Sequence, residues 1–193
     1  IATLRFADLR RRYPLIPSVA EVVEACRGGL HLMIEVKSEP WPDPPLQAAI
    51  LETLLSSLHP GRDYHILGLT PQVFRLAPFA FPAACLAVAQ TNTRAMSRWA
   101  RAQGAAGVAG HYLLVTRGCL ARHRACGQKV GTGFVESRGI FLREWARGVE
   151  WVFSNRAAAL AAEVRGGDGA GENPVSNGGG GGDRLREAAR TRP

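Results

Sequence analysis

The stretch IPSVAEVVEACRGGLHLMIEVKSE, residues 16–39, joins one helix to one strand and contains the unit from which the rest of the chain is read. Pro17 and Ser18 open the helix, and Glu21, three residues beyond the cap, completes a capping box. Residues 30–37 then form an apolar run of strand length. Outward from this unit, similar runs recur at 64–69, 84–89, 107–111, 129–135 and 150–154, each followed by a turn signal and a helical pattern. The helices are expected at 46–58, 71–76, 93–103, 117–126 and 138–147, with a last one after Asn155. Gly127 and Gly148 stand where a left-handed C-terminal residue is wanted.

Alternation of strand and helix with crossovers of this length requires a parallel sheet covered by helices and joined by right-handed connections. An open doubly wound sheet and a TIM barrel both satisfy the pattern. Spacing favours the barrel, because eight such units reach about 200 to 250 residues. Six strands are present, so the expected fold is an α/β, TIM-barrel-type domain over residues 1–164 with the first two βα units missing. The deficit is placed at the N-terminus because the chain opens on Ile1 and residues 1–13 read as a linker followed by a short polar helix. Residues 165–193 are rich in Gly, lack aromatics and show no hydrophobic period, so a disordered tail is expected, with at most a short helix near 184–190.

Composition narrows the function classes. Of the 193 residues, 46% are hydrophobic and 21% charged, which suits a globular domain and excludes disorder throughout. Every long apolar tract is cut by Arg, Pro or Gly, so neither a transmembrane segment nor an opening signal peptide is expected. The net charge of +8 comes from 22 Arg with only Lys37 and Lys129. No basic stripe is interleaved with aromatics, which argues against a nucleic-acid partner. Cys26, Cys85, Cys119 and Cys126 form no CxxC pair and read as buried, reduced thiols of a cytoplasmic protein.

In either architecture ligands meet the C-terminal ends of the strands. Those positions are Glu35 and Lys37, 68–70, 89–90, His111 and Tyr112, 133–136, and Ser154 with Asn155. Glu35 and Lys37 share a parity that turns them together, away from Ile34 and Val36. A carboxylate and an ammonium on the inner face of a strand are costly unless paired or bound. One reading is a buried ion pair that satisfies itself. The other is a divalent metal on Glu35, with Lys37 donating to an anionic group such as phosphate. His111 is weighed equally as a substrate contact and as a structural histidine. Trp41, between Pro40 and Pro42, either covers the site or packs its loop down. His31, His59, His65 and His123 receive no catalytic role, His65 being read as half-buried and His123 as lying on a polar helix face.

The run 16–39 resembles the Ile-Pro helix and Ile-Glu-Ile-Lys strand of glycerophosphodiester phosphodiesterases. Residues 105–116, with GHYLLVT, are similar to a later segment of that family, and 126–137 and 148–156 look like its last two strands. The resemblance implies a TIM barrel that hydrolyses glycerophosphodiesters to glycerol 3-phosphate and an alcohol with a divalent cation, Mg²⁺ or Ca²⁺. It implies that Glu35 is a metal ligand, that Lys37 binds substrate near the phosphate, and that a His-Arg pair, further carboxylates and a second His on two earlier strands are absent from this sequence. Two positions depart from the family. Gly133 replaces a common Trp, leaving Phe134 to supply the apolar wall, and Asn155 stands where Asp is usual. The 193 residues alone are therefore expected to lack hydrolysis. The alternatives are a non-catalytic phosphate-binding relative and an unrelated open-sheet α/β binding protein.

Overall fold

The computed structural model describes residues 5–37 and 40–167. Two helices, α1 (Phe6–Arg12) and α2 (Val19–Cys26), precede β1 (Leu32–Val36), α3 (Pro44–Leu55), β2 (Tyr64–Gly68), β3 (Cys85–Ala89) and α4 (Thr93–Ala102). There follow β4 (Gly107–His111), α5 (Arg117–Ala125), β5 (Lys129–Gly133), α6 (Arg138–Ala146), β6 (Trp151–Val152) and α7 (Ala157–Gly167). Between β2 and β3 the expected helix at 71–76 is a 3₁₀ helix, Pro71–Leu76, followed by a second short one at Pro78–Ala80. Pro71 at its start and Pro78 just past its end leave no room for a longer α-helical ladder.

Local chemistry accounts for the helix ends. Ser18 Oγ accepts from the Glu21 N–H at 3.2 Å, while the Glu21 carboxylate accepts from the Ser18 N–H at 2.6 Å, so the capping box forms as its spacing requires. Asp43, Thr116 and Ser137 cap α3, α5 and α6 through side-chain oxygens that accept from the N–H groups of Leu46, Cys119 and Ile140. Gly127 and Gly148 take φ of 67° and 76° at the ends of α5 and α6.

All strand pairs are parallel, in the order β1-β2-β3-β4-β5-β6. Among the described residues β1 and β6 each pair on one side only. The sheet is nevertheless strongly curled. In a flat sheet β2 and β6 would be about 19 Å apart, four strand spacings, yet the His65 ring on β2 meets the Trp151 ring on β6 edge-on at 4.7 Å. Six strands thus form part of a barrel wall, with an inside and an outside.

The two faces are distinct. Outward, Val36, Ile66, Cys85 and Tyr64 pack with Leu55, Phe74 and Val23, and Ala87, Val108 and Val130 pack with Met96, Ala100, Cys119 and Leu120. Inward, Leu67, Leu86 and Ala109 contact Met33, Val88, Trp151 and Phe153. Burial of these apolar areas stabilises the fold at about 25 cal/mol per Å² removed from water. An ionic tie joins the outer layer: the fully buried Glu144 of α6 pairs with Arg147 at 2.7 Å and Arg143 at 3.0 Å, and Arg147 also donates to the Val115 carbonyl before α5.

Three sequence expectations are corrected at their edges. β6 has two residues rather than five, as an edge strand paired only with β5. The helix α7 continues through Gly167, so ordered structure runs three residues past the expected boundary at 164. The remainder of the expected tail, including 184–190, lies outside the described residues. Cys126 is exposed, whereas Cys85 and Cys119 are buried; burial pushes the Cys85 thiol up to about 12. No helix among the described residues is long and apolar enough to cross a membrane.

Candidate active site

At the C-terminal ends of the strands the inner wall opens into a cavity of about 530 Å³. Glu35 from β1, His111 from β4, Phe134 and Glu136 after β5, and Ser154 and Asn155 after β6 line it, over an apolar floor that includes Leu67, Val88 and Ala109. The curl of the sheet is what brings these residues, from opposite ends of the strand order, around one space.

Glu35 faces inward, as its parity requires. Lys37 Nζ lies 2.7 Å from Glu35 Oε1, but the pair is not buried: the side chains are 38% and 65% exposed. The reading as a buried, self-satisfying pair is therefore corrected, and the cause is the position of β1 at the sheet edge. An exposed pair contributes less than about 1 kcal/mol. Lys37 itself borders a neighbouring depression beside Trp41 and Pro44, and it reaches the cavity through Glu35. Trp41 packs its loop down: its indole N–H donates to the Lys37 carbonyl at 3.2 Å, and its ring joins the outer core.

His111 Nδ1 accepts from the Leu113 N–H at 3.2 Å. The neutral ring then carries its proton on Nε2, which is left as a donor. The ring is stacked between Tyr112 (centroids 4.7 Å apart) and Phe134 (5.0 Å). Phe134 has φ of 63° and is 63% exposed. A bulky residue in the left-handed region costs about 1 to 3 kcal/mol and is found where the surroundings impose it. Its ring forms an apolar wall over His111. The carboxylate of Glu136 accepts from the backbone and side-chain N–H groups of Asn155 at 3.2 and 3.3 Å. Asn155 thus serves as a donor that fixes Glu136.

The donor set does not build a cation cage. Divalent Mg²⁺ or Ca²⁺ takes about six or more oxygen ligands. The cavity offers the carboxylates of Glu35 and Glu136, and no group of three His, Cys, Asp or Glu that could hold a metal occurs among the described residues.

Two histidines were misread from the sequence. His65 is fully buried: its Nδ1 pairs with His31 Nε2 at 2.7 Å, and His31 Nδ1 pairs with the Arg62 carbonyl at 2.8 Å. Burial first, then the positions of His31 and Lys129, push its pKa down to about 4. His123 is not on a polar face but fully buried, with Nδ1 2.8 Å from Gln128 Oε1 and Nε2 2.8 Å from Ser97 Oγ. Its partners come from other elements, so the pattern of α5 alone carries no sign of them.

No protein-family model and no curated protein matches the sequence. Solved structures do. A protein described as a glycerophosphoryl diester phosphodiesterase from Silicibacter pomeroyi is 18% identical with a TM-score of 0.61, over 80% of this chain and 62% of its own. One described as a glycerophosphodiester phosphodiesterase from Galdieria sulphuraria is 18% identical with a TM-score of 0.64, over 84% and 70%. A phosphodiesterase of Oleispira antarctica, in complex with the product sn-glycerol-3-phosphate, is 18% identical with a TM-score of 0.58, over 78% and 62%. This chain thus spans somewhat less than two thirds of the first of these structures. Its fold is the (β/α)-barrel fold of glycerophosphodiester phosphodiesterases, represented here by six parallel strands and the helices that cover them.

Proposed function

We propose that this chain supplies part of the substrate site of a phosphodiester hydrolase that converts glycerophosphodiesters to glycerol 3-phosphate and an alcohol. The observation that carries the reading is the Glu35–Lys37 pair at the mouth of the strand-end cavity, in a fold shared with a phosphodiesterase that holds sn-glycerol-3-phosphate. The pair adds little to stability, which leaves both groups available to a ligand.

Lys37 compensates the charge of the phosphate, as an ammonium does at a phosphoryl group, and Glu35 orients it through the 2.7 Å contact. His111 offers its Nε2–H to a phosphate or glycerol oxygen, and the Phe134 ring shields that contact from water. A divalent cation, Mg²⁺ or Ca²⁺, belongs to the proposal with Glu35 as one ligand. The described residues do not complete its coordination, and no step is written through it. An acid for the leaving alkoxide and a base for water are likewise not assigned to this chain.

The test is release of glycerol 3-phosphate from glycerophosphocholine by the full-length gene product. Hydrolysis that requires Mg²⁺ or Ca²⁺ and falls at least about hundredfold in Glu35→Gln is expected. Hydrolysis unaffected by Glu35→Gln would overturn the placement of the site. A second reading, a phosphate-binding relative without turnover, is favoured by the two-carboxylate cavity; binding of glycerol 3-phosphate without any hydrolysis would establish it.

A further inference from the structure

Outside the strand-end cavity, a second cleft of about 530 Å³ runs between α4 and α5. Arg94, Arg98 and Arg101 of α4, at i, i+4 and i+7, line one side, Arg122 of α5 the other, and Ser97 and Cys119 its floor. No Asp or Glu lines it. None of the ion pairs among the described residues includes any of these four arginines.

Three further observations bear on what this cleft can hold. First, Arg101 Nε and Thr93 Oγ1, on two residues that line it, are buried and lack a hydrogen-bond partner within the protein. Second, the cations sit where helix dipoles favour anions. Arg94 is in the first turn of α4, and the Arg122 guanidinium lies against Gly118 in the first turn of α5, where an added Cβ would come within 3.3 Å of Nη1. Neither first turn carries an acidic residue. Third, a buried network braces the two helices. Gln128 Nε2 donates to the carbonyls of Ala100 and Ala105 at 2.8 Å, so its Oε1 accepts from His123 Nδ1, and His123 Nε2 accepts from the Ser97 hydroxyl. Cys119 Sγ approaches Ser97 Oγ at 3.7 Å. Burial lowers the His123 pKa against the opposing hydrogen bond of Gln128, and the nearby Arg101 and Arg122 lower it further. The two helices that carry the arginines are therefore braced against each other before any ligand arrives.

We propose that the α4–α5 cleft is an anion site for a phosphate group carrying two or more negative charges, held by Arg94, Arg98, Arg101 and Arg122, and separate from the activity proposed above. Guanidinium groups bind phosphate oxygens in paired, charge-assisted hydrogen bonds. The same chemistry is offered by a free diphosphate and by the monoester headgroup of an anionic lipid.

The experiment is titration of the chain with pyrophosphate by calorimetry at low salt, and in parallel its sedimentation with phosphatidic acid–phosphatidylcholine vesicles. Saturable binding is expected, at least about tenfold weaker in Arg98→Ala and in Arg122→Ala and nearly lost in the double variant. Both side chains are exposed along their stems, so these variants keep the fold, which circular dichroism checks. Arg12→Ala removes one charge on α1, away from the cleft, and retains wild-type affinity if the cleft is the site. Pyrophosphate binding lost in the arginine variants assigns a soluble ligand, and binding confined to vesicles but equally lost assigns a lipid headgroup. No saturable binding to either, affinities unchanged in the double variant, or an equal loss in Arg12→Ala would overturn the proposal.

Discussion

At the scale of single residues, burial decides what each histidine does. His111 keeps a free Nε2 donor at the cavity, whereas His65 is committed inside the wall between His31 and Trp151. Because its folded pKa is about 4 against an ordinary 6.5, the unfolded chain binds a proton between these values and the folded chain does not. Stability therefore falls as pH drops from about 6.5 to 4, by roughly 3 kcal/mol if the whole difference is realised. Urea midpoints measured from pH 7.5 to 4.5 should show this slope in the wild type and a flatter one in His65→Gln. Equal slopes would mean that His65 is protonated in the folded state. The residue scale is also where sequence reading reached least far. The inward turn of Glu35 was legible because strand parity alone sets it. The burial of His123 was not, since Ser97 lies 26 residues before it and Gln128 beyond the end of its helix.

Elements were more legible than residues, because their signals are local. The box of Ser18 and Glu21, the Thr116 cap and the glycines after α5 and α6 mark helix ends within one turn of where they occur. What the sequence does not carry is the closeness of elements to one another. Gly107 opens β4, and a Cβ there would lie 1.8 Å from the Lys129 carbonyl of β5, so the two strands meet at a distance that only glycine permits. Gly107→Ala should cost at least about 3 kcal/mol in urea unfolding, because backbone rather than a flexible side chain must move. A loss below about 1 kcal/mol would show that β4 and β5 are not in this register. The arginine cleft escaped notice for a related reason. Arginines at i, i+4 and i+7 are common on solvated helices, and only the packing of α5 against α4, with Arg122 opposite and no carboxylate nearby, turns them into a site.

For the whole molecule, the period of strand and helix announced a barrel wall, and the contact between His65 and Trp151 across four strand spacings is the physical evidence of its curl. Curl gathers Glu35, His111, Phe134 and Glu136, the first and last of them 101 positions apart in sequence, around one cavity. A flat sheet of the same order would leave them in a row. In the proposed function Lys37, paired to Glu35 at the cavity rim, meets the phosphate of a glycerol phosphate. The most direct test is titration of the chain with sn-glycerol 3-phosphate, comparing wild type with Lys37→Ala, whose exposed side chain can be removed without disturbing the core. Saturable binding is expected, with a Kd that rises at least about tenfold in the variant, a loss of about 1.4 kcal/mol. Equal affinities in the two proteins, or no saturable binding by the wild type, would contradict it.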